Sequence, residues 1–200
     1  EDLFAHLLGE QLEDHIYQRD PVAVRPGDVV LDVGGHLGTF TRIALRQGAR
    51  LVVAFEPEPV NRSCFQRTFQ SEIAEKRVVL VEAAAWSEPG ELKFTIWPDN
   101  SAGASSVLTH PGSSVAVPAV TIDDTVDRLG LERVDFIKLD IEGAERHALR
   151  GARRTLARFG PRVVACVYHL FDDPLVVPQR ILEARPSYQK FTTWSQAYFY

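Results

Sequence analysis

The sequence predicts an α/β fold with a doubly wound, mostly parallel sheet of about seven strands and helices on both faces. Two observations carry this prediction. Short apolar runs alternate with amphipathic stretches through the first half of the chain, which is the order of parallel strands joined by right-handed crossovers. The runs, such as residues 29–33 and 51–55, are apolar almost without interruption, which is typical of strands buried on both faces.

In the first half of the chain, apolar residues three or four apart predict helices, and uninterrupted apolar runs predict strands. The elements expected there are a covering helix in residues 1–20, a strand at 29–33, a helix at 39–47, a strand at 51–55, a helix around 65–73 and a strand at 77–85. Pro21, Pro26 and Gly27 break the chain between the first helix and the first strand.

The second half begins with two segments of period-two alternation, which predict strands at 91–97 and 114–122. The polar residues from Asp99 to Ser114 predict a long loop between them, functional or mobile. The remaining expected elements are a helix at 123–129, a strand at 136–140, a helical stretch at 144–158 broken near Gly151, a strand at 162–168, a helix that Asp173 caps before Pro174, and a strand at 190–194. We expect Tyr198–Tyr200 to begin a last strand that is truncated.

Composition narrows the class of protein. The chain has 200 residues and a hydrophobic fraction of 45%, which is typical of one globular domain, so a single domain over residues 1–200 is expected. The net charge of −5 argues against a nucleic-acid partner, and no apolar run is long enough to predict a membrane span. Two isolated cysteines indicate a reducing, cytoplasmic setting. A homodimer is left open.

A glycine turn follows the first strand, and an acid follows the second. The first strand runs into Asp32-x-Gly34-Gly35-x-x-Gly38, and the second ends at Glu56. Ligands of open α/β sheets bind beyond the carboxyl ends of the strands, at the switch point of the topology. Glycines allow the backbone to approach a ligand closely, and a carboxylate on the next strand can accept both hydroxyls of a ribose. This combination predicts a nucleotide-like cofactor.

The residues around the turn bear on which cofactor it is. A dinucleotide fingerprint would have glycines where this chain has His36 and Thr39. Asp32 would repel a pyrophosphate but attract the ammonium and sulfonium groups of S-adenosylmethionine. We therefore expect methyl transfer and keep two alternatives, an NAD-type oxidoreductase of similar fold and a cofactor-binding module without turnover. A glycine turn without a ligand, with Asp32 capping the next helix, is the structural alternative.

Three blocks together resemble the FkbM family of S-adenosylmethionine-dependent methyltransferases: DVGGHLG at 32–38, AFEP at 54–57 and IKLDIEGAE at 137–145. The resemblance covers about residues 20–185. It implies a class I methyltransferase, Rossmann-like fold and O-methylation of a hydroxyl on a small molecule, a natural product or a sugar. Two residues depart from the family's usual sequence. His36 stands where asparagine is usual, and Val167 stands where a carboxylate often precedes the histidine.

The expected cofactor site combines the loop, the acid and the segment after the third strand. Glu56 is expected to bind the ribose hydroxyls, and Ala84, Ala85 and Trp86 to border the adenine. The full set expected to bind the cofactor is Asp32, Gly34, Gly35, His36, Gly38, Glu56, Pro57, Ala84, Ala85 and Trp86.

Asp140 and His169 follow two strands that should be neighbours, and both are expected to be catalytic. An imidazole titrates near neutral pH, so His169 is the expected general base for the acceptor hydroxyl. Asp140 is expected to hold the acceptor or the cofactor ammonium. A metal such as Mg²⁺ is left open, with ligands drawn from Asp140, Glu142, His169 and Asp172. Lys138, inside a buried strand, is expected either to extend its ammonium group to solvent or to pair with an acid, and not to be catalytic. The acceptor, and whether oxygen or nitrogen is methylated, are not predicted.

Overall fold

The computed structural model of the chain describes residues 16–97, 100–108 and 113–200. The covering helix expected in residues 1–20 lies outside these ranges except for its last five residues, which form turns and an isolated bridge. In the ranges described, no helix combines the length and the apolar character needed to cross a membrane.

A seven-stranded sheet forms the centre of the fold, in the order β10-β11-β9-β8-β1-β2-β3. Its strands are β1 (Val29–Val33), β2 (Leu51–Phe55), β3 (Val78–Val81), β8 (Phe136–Leu139), β9 (Arg162–Cys166), β10 (Lys190–Thr192) and β11 (Gln196–Phe199). The five strands from β9 to β3 are parallel, and β11 is antiparallel to both of its neighbours. The predicted doubly wound, mostly parallel sheet is confirmed.

Helices connect the strands and cover the sheet. They are α1 (Thr39–Arg46), α2 (Pro59–Thr68), α3 (Gln70–Ala74), α4 (Ile122–Arg128), α5 (Glu145–Arg150), α6 (Arg153–Phe159) and α7 (Asp173–Ala184). The predicted break near Gly151 is confirmed between α5 and α6. The helix predicted around 65–73 is instead two helices that meet at Phe69.

Alternate residues of the central strands enter two different cores. Leu31 and Val33 pack on one face of the sheet, whereas Val30 packs on the other with Val52 and Ala54. Both faces are covered, so apolar residues occur at nearly every position of these strands. Asp32 lies on the same face as Val30, because successive side chains of a strand point to opposite sides.

A second sheet, with the strand order β4-β7-β5-β6, was not predicted as a separate unit. Its strands are β4 (Ala84–Ala85), β5 (Gly90–Trp97), β6 (Asn100–Ser105) and β7 (Ser113–Val120). The predicted strand at 77–85 is therefore two strands in different sheets. The predicted loop from Asp99 to Ser114 is wrong over β6, which pairs with the edge of β5. Edge pairing uses backbone groups, so a strand of small polar residues gives no apolar pattern.

The C-terminal region differs from expectation at two points. Asp172, one residue before the predicted cap, is the N-cap residue of α7. Asp173 accepts the N–H of Leu170 at 2.7 Å and a hydrogen bond from Arg146 at 2.6 Å. The last strand begins at Gln196 rather than Tyr198 and lies between β9 and β10, with partners on both sides.

Candidate active site

A cavity opens at the carboxyl ends of β1, β2 and β8, where the order of the main sheet reverses. The space inside it, with its open mouth included, is about 550 Å³. The cavity is lined by Val33, Gly34, His36, Phe55, Glu56, Pro57, Asn61, Ala84, Ala85, Phe94, Ala104, Ser106, Asp140, Ile141, Glu142 and Ala144. Residues of both sheets contribute, so the small sheet forms one wall of a site that the main sheet begins.

The glycine turn is shaped by its contacts with neighbouring segments. Gly34 has φ +90°, and a Cβ there would lie 2.0 Å from the carbonyl oxygen of Asp140. Gly38 has φ +93°, and a Cβ there would lie 2.1 Å from the ring of Phe69. Both positions combine a left-handed backbone with a close approach, and only glycine satisfies both conditions. Gly34 and His36 line the cavity, while Gly35 and Gly38 are not among the described lining residues.

Glu56 ends the second strand as a buried carboxylate on the cavity wall. Its side chain accepts the N–H of His36 at 2.7 Å and the N–H of Glu58 at 2.9 Å. Burial raises the pKa of Glu56 to about 7, although these hydrogen bonds favour the ionised form. Burial and the nearby charge of Lys138 lower the pKa of His36 to about 4, so that imidazole is neutral at pH 7. Glu56 and Pro57 both line the cavity, as expected of cofactor-binding residues.

Asp32 does not line the cavity, in contrast to the expectation that it faces the cofactor. Its side chain is fully buried on the opposite face of the sheet, where it accepts a hydrogen bond from Thr41 at 2.7 Å. Lys138 forms an ion pair with it at 3.2 Å and donates to the carbonyl oxygen of Gly34 at 2.6 Å. The predicted pairing of Lys138 with an acid is confirmed. The charge of Asp32 therefore holds the turn through Lys138 and is not available to attract a ligand cation.

Of the three residues expected to border the adenine, only the first two line the cavity. Ala84 and Ala85 line the cavity, but Trp86 is not among the described lining residues. The indole of Trp86 stacks on the imidazole of His147, with ring centroids 3.9 Å apart and planes at 6°. Trp86 therefore packs against α5, to which His147 belongs.

Asp140 and His169 are brought together, as their strands predict, and two further carboxylates join them. The Nε2 atom of His169 lies 3.5 Å from both Asp140 Oδ1 and Glu142 Oε1, and its Nδ1 atom lies 3.2 Å from Glu145 Oε1. Asp140 also accepts a short hydrogen bond from the hydroxyl of Tyr17. Burial alone would raise the pKa of Asp140, but the charges of Lys138 and His169 outweigh it and lower that pKa.

His169 is not suited to the predicted role of general base. Burial alone would lower its pKa, but the carboxylates of Glu142, Glu145 and Asp140 outweigh burial and raise the pKa to about 11. An imidazole with this pKa already carries its proton at pH 7. His169 is also not among the described lining residues of the cavity, whereas Asp140 is.

The scan of family models matches residues 32–189 to the methyltransferase FkbM domain. This range contains the glycine turn, Glu56, Asp140 and His169. The chain belongs to the FkbM methyltransferase family. The resemblance inferred from the three sequence blocks is thereby confirmed.

Curated relatives of this FkbM-family chain include methyltransferases with different names. The 31-O-demethyl-FK506 methyltransferase FkbM of Streptomyces tacrolimicus is 27% identical over 72% of this chain and 67% of its own length. The hexuronic acid methyltransferase AglP of Haloferax volcanii is 29% identical over 80% of this chain and 64% of its own length. The 2-O-methyltransferase NoeI of Sinorhizobium fredii is 27% identical over 82% and 74%. The chain thus spans about two thirds of the length of the first two relatives.

Solved structures support the fold assignment of the FkbM-family chain. The crystal structure of methyltransferase FkbM from Methylobacillus flagellatus KT matches with a TM-score of 0.69 and 24% identity, over 92% of this chain and 47% of that one. Fibrillarin of Aeropyrum pernix, solved with S-adenosyl-L-methionine bound, matches with a TM-score of 0.52 and 13% identity, over 99% and 74%. At these identities the likeness concerns the class I methyltransferase fold.

Two residues of the site differ from the sequence-based assignment of this FkbM-family chain. Glu145 was not predicted to contribute, yet its side chain is fully buried beside His169 and accepts the N–H of Ile141 at 2.8 Å. Its place in the block at 137–145 was the available signal, but an acid at a helix start is expected in any case. Asp172, which was considered as a ligand, is paired with Arg146 at 2.5 Å and lies outside the cluster.

Proposed function

We propose that this chain transfers a methyl group from S-adenosylmethionine to a hydroxyl oxygen of a small molecule, such as a natural product or a sugar. The observation that carries the proposal is Glu56, a buried carboxylate that lines the cavity beside a glycine turn. Membership of the FkbM family supports methyl transfer. The names of two relatives, a 31-O-demethyl-FK506 methyltransferase and a 2-O-methyltransferase, support oxygen as the acceptor atom.

The residues present fit S-adenosylmethionine. Glu56 has carboxylate oxygens at the cavity wall for the ribose hydroxyls, and Ala84 and Ala85 provide an apolar surface for the adenine. A Cβ at Gly34 would collide with the neighbouring backbone. The turn therefore presents backbone without a side chain at this edge of the cavity. When bound, S-adenosylmethionine supplies a methyl group on a sulfonium sulfur, which keeps the C–S bonding electrons as the acceptor oxygen takes the methyl carbon.

The contribution of the protein to this reaction is mainly positioning. Methyl transfer needs the acceptor oxygen in line with the bond that breaks, at roughly 3–3.5 Å. Asp140 lines the cavity, and the hydroxyl of Tyr17 fixes its carboxylate. We infer that Asp140 accepts a hydrogen bond from the acceptor hydroxyl or from the cofactor ammonium. Its lowered pKa keeps it ionised for that purpose.

The rival functions make different binding predictions. An NAD-type oxidoreductase would bind a dinucleotide at the same turn, and the neutralised Asp32 no longer argues against it by charge. Two other features still argue against dinucleotide binding: the third glycine of the fingerprint is absent, and the side chain of His36 lies on the cavity wall. A binding module without turnover would take up S-adenosylmethionine and release no methylated product.

The first experiment is calorimetric titration of the chain with S-adenosylmethionine, S-adenosylhomocysteine and NAD. We expect the first two to bind and NAD not to bind. Glu56→Gln should weaken S-adenosylhomocysteine binding by about ten- to a hundredfold, since a hydrogen bond to a charged group contributes roughly 1.5–3 kcal/mol. Glu82→Gln is the matched control, because Glu82 follows the next strand, is exposed and pairs with Arg62. Equal affinities of both variants, or binding of NAD alone, would refute the proposal.

The acceptor is then sought by mass spectrometry of reactions with S-adenosylmethionine. The panel contains a macrolide with a free hydroxyl, a hexuronic acid and a simple sugar, with amines of similar size as controls. We expect methylation of a hydroxyl compound and release of S-adenosylhomocysteine. Tight cofactor binding with no product from any compound would favour the binding module.

A further inference from the structure

We propose that Asp140, Glu145 and His169 form a binding site for a divalent transition metal ion, Mn²⁺ or Zn²⁺, at the wall of the cavity. The metal site stands on its own geometry, and only its part in methyl transfer rests on the proposed function. It shares Asp140 and His169 with the divalent-metal site left open from the sequence, and it has Glu145 in place of Glu142 and Asp172.

The three residues place one ligand atom each within 4.8 Å of one another. His169 lies 3.5 Å from Asp140 through Nε2 and 3.2 Å from Glu145 through Nδ1. Nitrogen and oxygen ligands that share one ion with bonds of roughly 2.0–2.2 Å are separated by about 3–3.5 Å. His169 Nε2 and Asp140 Oδ1 are therefore spaced as two ligands of one ion are, and Glu145, whose Oε1 faces the other ring nitrogen, offers the third ligand atom within 4.8 Å.

Unpartnered polar atoms give the second, independent indication. Counting the described residues as donors and acceptors, Asp140 Oδ1, Glu145 Oε2 and both nitrogens of His169 are buried without a hydrogen bond of acceptable geometry. The side chains of Glu145 and His169 are 0% and 4% exposed. A buried polar group without a partner costs about 1–3 kcal/mol, and more when it is charged. A cation among them would bind one nitrogen of His169 together with carboxylate oxygens of Asp140 and Glu145.

The donor set indicates the kind of ion. Magnesium prefers oxygen ligands and retains several of its waters, so an imidazole is a poor ligand for it. One imidazole nitrogen with two carboxylates suits Mn²⁺ or Zn²⁺, and zinc binds the more tightly of the two at a given site. Three protein ligands leave further positions free, as in metal sites that act on a substrate.

The position of the site suggests its use. Asp140 belongs both to the cluster and to the cavity wall. An ion at this place would lower the pKa of an acceptor hydroxyl, whose proton then leaves to water.

The test is a titration of the chelator-treated full chain with Mn²⁺, followed by electron paramagnetic resonance of the free ion. We expect one Mn²⁺ per chain, displaced by Zn²⁺ and not by an equal concentration of Mg²⁺. Absence of Mn²⁺ and Zn²⁺ binding would overturn the proposal. That result is expected if protonated His169, without a metal ion, compensates the negative charges of Asp140, Glu142 and Glu145.

Variants assign the ion to these residues. Glu145→Gln and His169→Gln should each weaken Mn²⁺ binding by more than about tenfold, since even residues behind the ligands contribute 10–100-fold. Asp172→Asn is the control, because its carboxylate is 52% exposed, pairs with Arg146 and lies outside the cluster. If one variant does not fold, the other variant and the competition of Zn²⁺ with Mn²⁺ in the wild-type chain still test the site. Mn²⁺ binding that neither variant weakens would place the ion elsewhere and refute the site.

The experiment separates this inference from the proposed function. S-adenosylhomocysteine binding is measured on the same samples without metal. Binding of the cofactor product without Mn²⁺ or Zn²⁺ binding would refute the metal site and leave the proposed function intact. Metal binding that depends on Glu145 and His169, in a chain that binds no S-adenosylhomocysteine, would support the site and refute the function.

Discussion

At the scale of single residues, two buried acids on adjacent strands have opposite surroundings. Asp32 is neutralised by Lys138 and bonded to Thr41, so it acts on the turn from behind. Glu56 accepts N–H groups and forms no ion pair with any cation of the described ranges. A buried carboxylate without a cation retains capacity for a ligand. Of these two acids, only Glu56 lies on the cavity wall, where we propose that the cofactor binds.

The raised pKa of Glu56 predicts how its contribution to stability depends on pH. The folded protein binds a proton at this site more tightly than the unfolded chain, because the pKa moves from 4.5 to about 7. The contribution is complete below pH 4.5 and is lost as the pH rises through 7. The free energy of unfolding of the wild type relative to Glu56→Gln should fall by on the order of 3 kcal/mol between pH 4 and pH 8. Denaturant unfolding at several pH values measures this, and a difference independent of pH would contradict the assignment.

The ion pair behind the turn predicts strong coupling between its partners. Lys138→Met should destabilise the fold by about 3–5 kcal/mol, because it leaves the charge of Asp32 buried without a partner. Adding Asp32→Asn should recover a large part of that loss. A double-mutant cycle of unfolding free energies measures the coupling. Additive effects of the two changes would show that the pair at 3.2 Å contributes nothing specific.

At the scale of elements, the turn between β1 and α1 depends on its contact with the segment after β8. Lys138 of β8 donates to the carbonyl of Gly34, and the carbonyl of Asp140 approaches the same glycine closely. The two loops at the switch point therefore form one unit. The glycine-turn side and the Asp140 side of the cavity are held by the same contacts.

Gly34 of the turn and Gly27, which precedes β1, have similar backbone angles. Comparing them distinguishes the cost of a left-handed backbone from the cost of a steric collision. Gly27 has φ +85° and open space around it, whereas Gly34 has φ +90° and would place a Cβ 2.0 Å from backbone. Gly27→Ala should cost only the left-handed penalty, about 1–2 kcal/mol. Gly34→Ala should cost clearly more and reduce S-adenosylhomocysteine binding at least tenfold. Thermal unfolding and calorimetry compare the two variants, and equal losses would show that the close approach is not limiting.

At the scale of the whole molecule, the cavity lies between the two sheets. The main sheet contributes the turn and Glu56, and the small sheet contributes Ala84, Phe94 and Ala104. Ser105 joins the small sheet to the loop after β8, since its hydroxyl donates to the carbonyl of Glu142 at 2.8 Å. A ligand in this cavity would contact both sheets at once.

This arrangement predicts one unfolding transition, in agreement with the proposed single domain over residues 1–200. S-adenosylhomocysteine at a hundred times its dissociation constant should stabilise the chain by about 2.7 kcal/mol. Differential scanning calorimetry should then show one transition that moves to higher temperature as a whole. Two transitions, of which only one responds to the ligand, would show that the sheets unfold separately.

The sequence alone was sufficient for the main sheet and for much of the cavity. Runs such as 29–33 and 51–55 are buried on both faces, so their apolar character is strong and local. The positions of Gly34, Glu56 and Asp140 follow from it, because carboxyl ends of parallel strands meet at one edge. The edge strand β6 lacked such a signal, since its pairing to β5 uses backbone groups that every residue carries.

The sequence by itself determined the fold class, the family and the placement of acids at the switch point. Only the tertiary structure decided which of those acids faces the cavity. In the sequence, Asp32 and Glu56 are both acids near the end of an apolar strand. In the fold, Asp32 forms an ion pair with Lys138, whereas Glu56 lies on the cavity wall. The charge state of His169 and the contribution of Glu145 were decided in the same way. Burial and the electrostatic field at an atom depend on neighbours that are distant in sequence, and these become known only once the chain has folded.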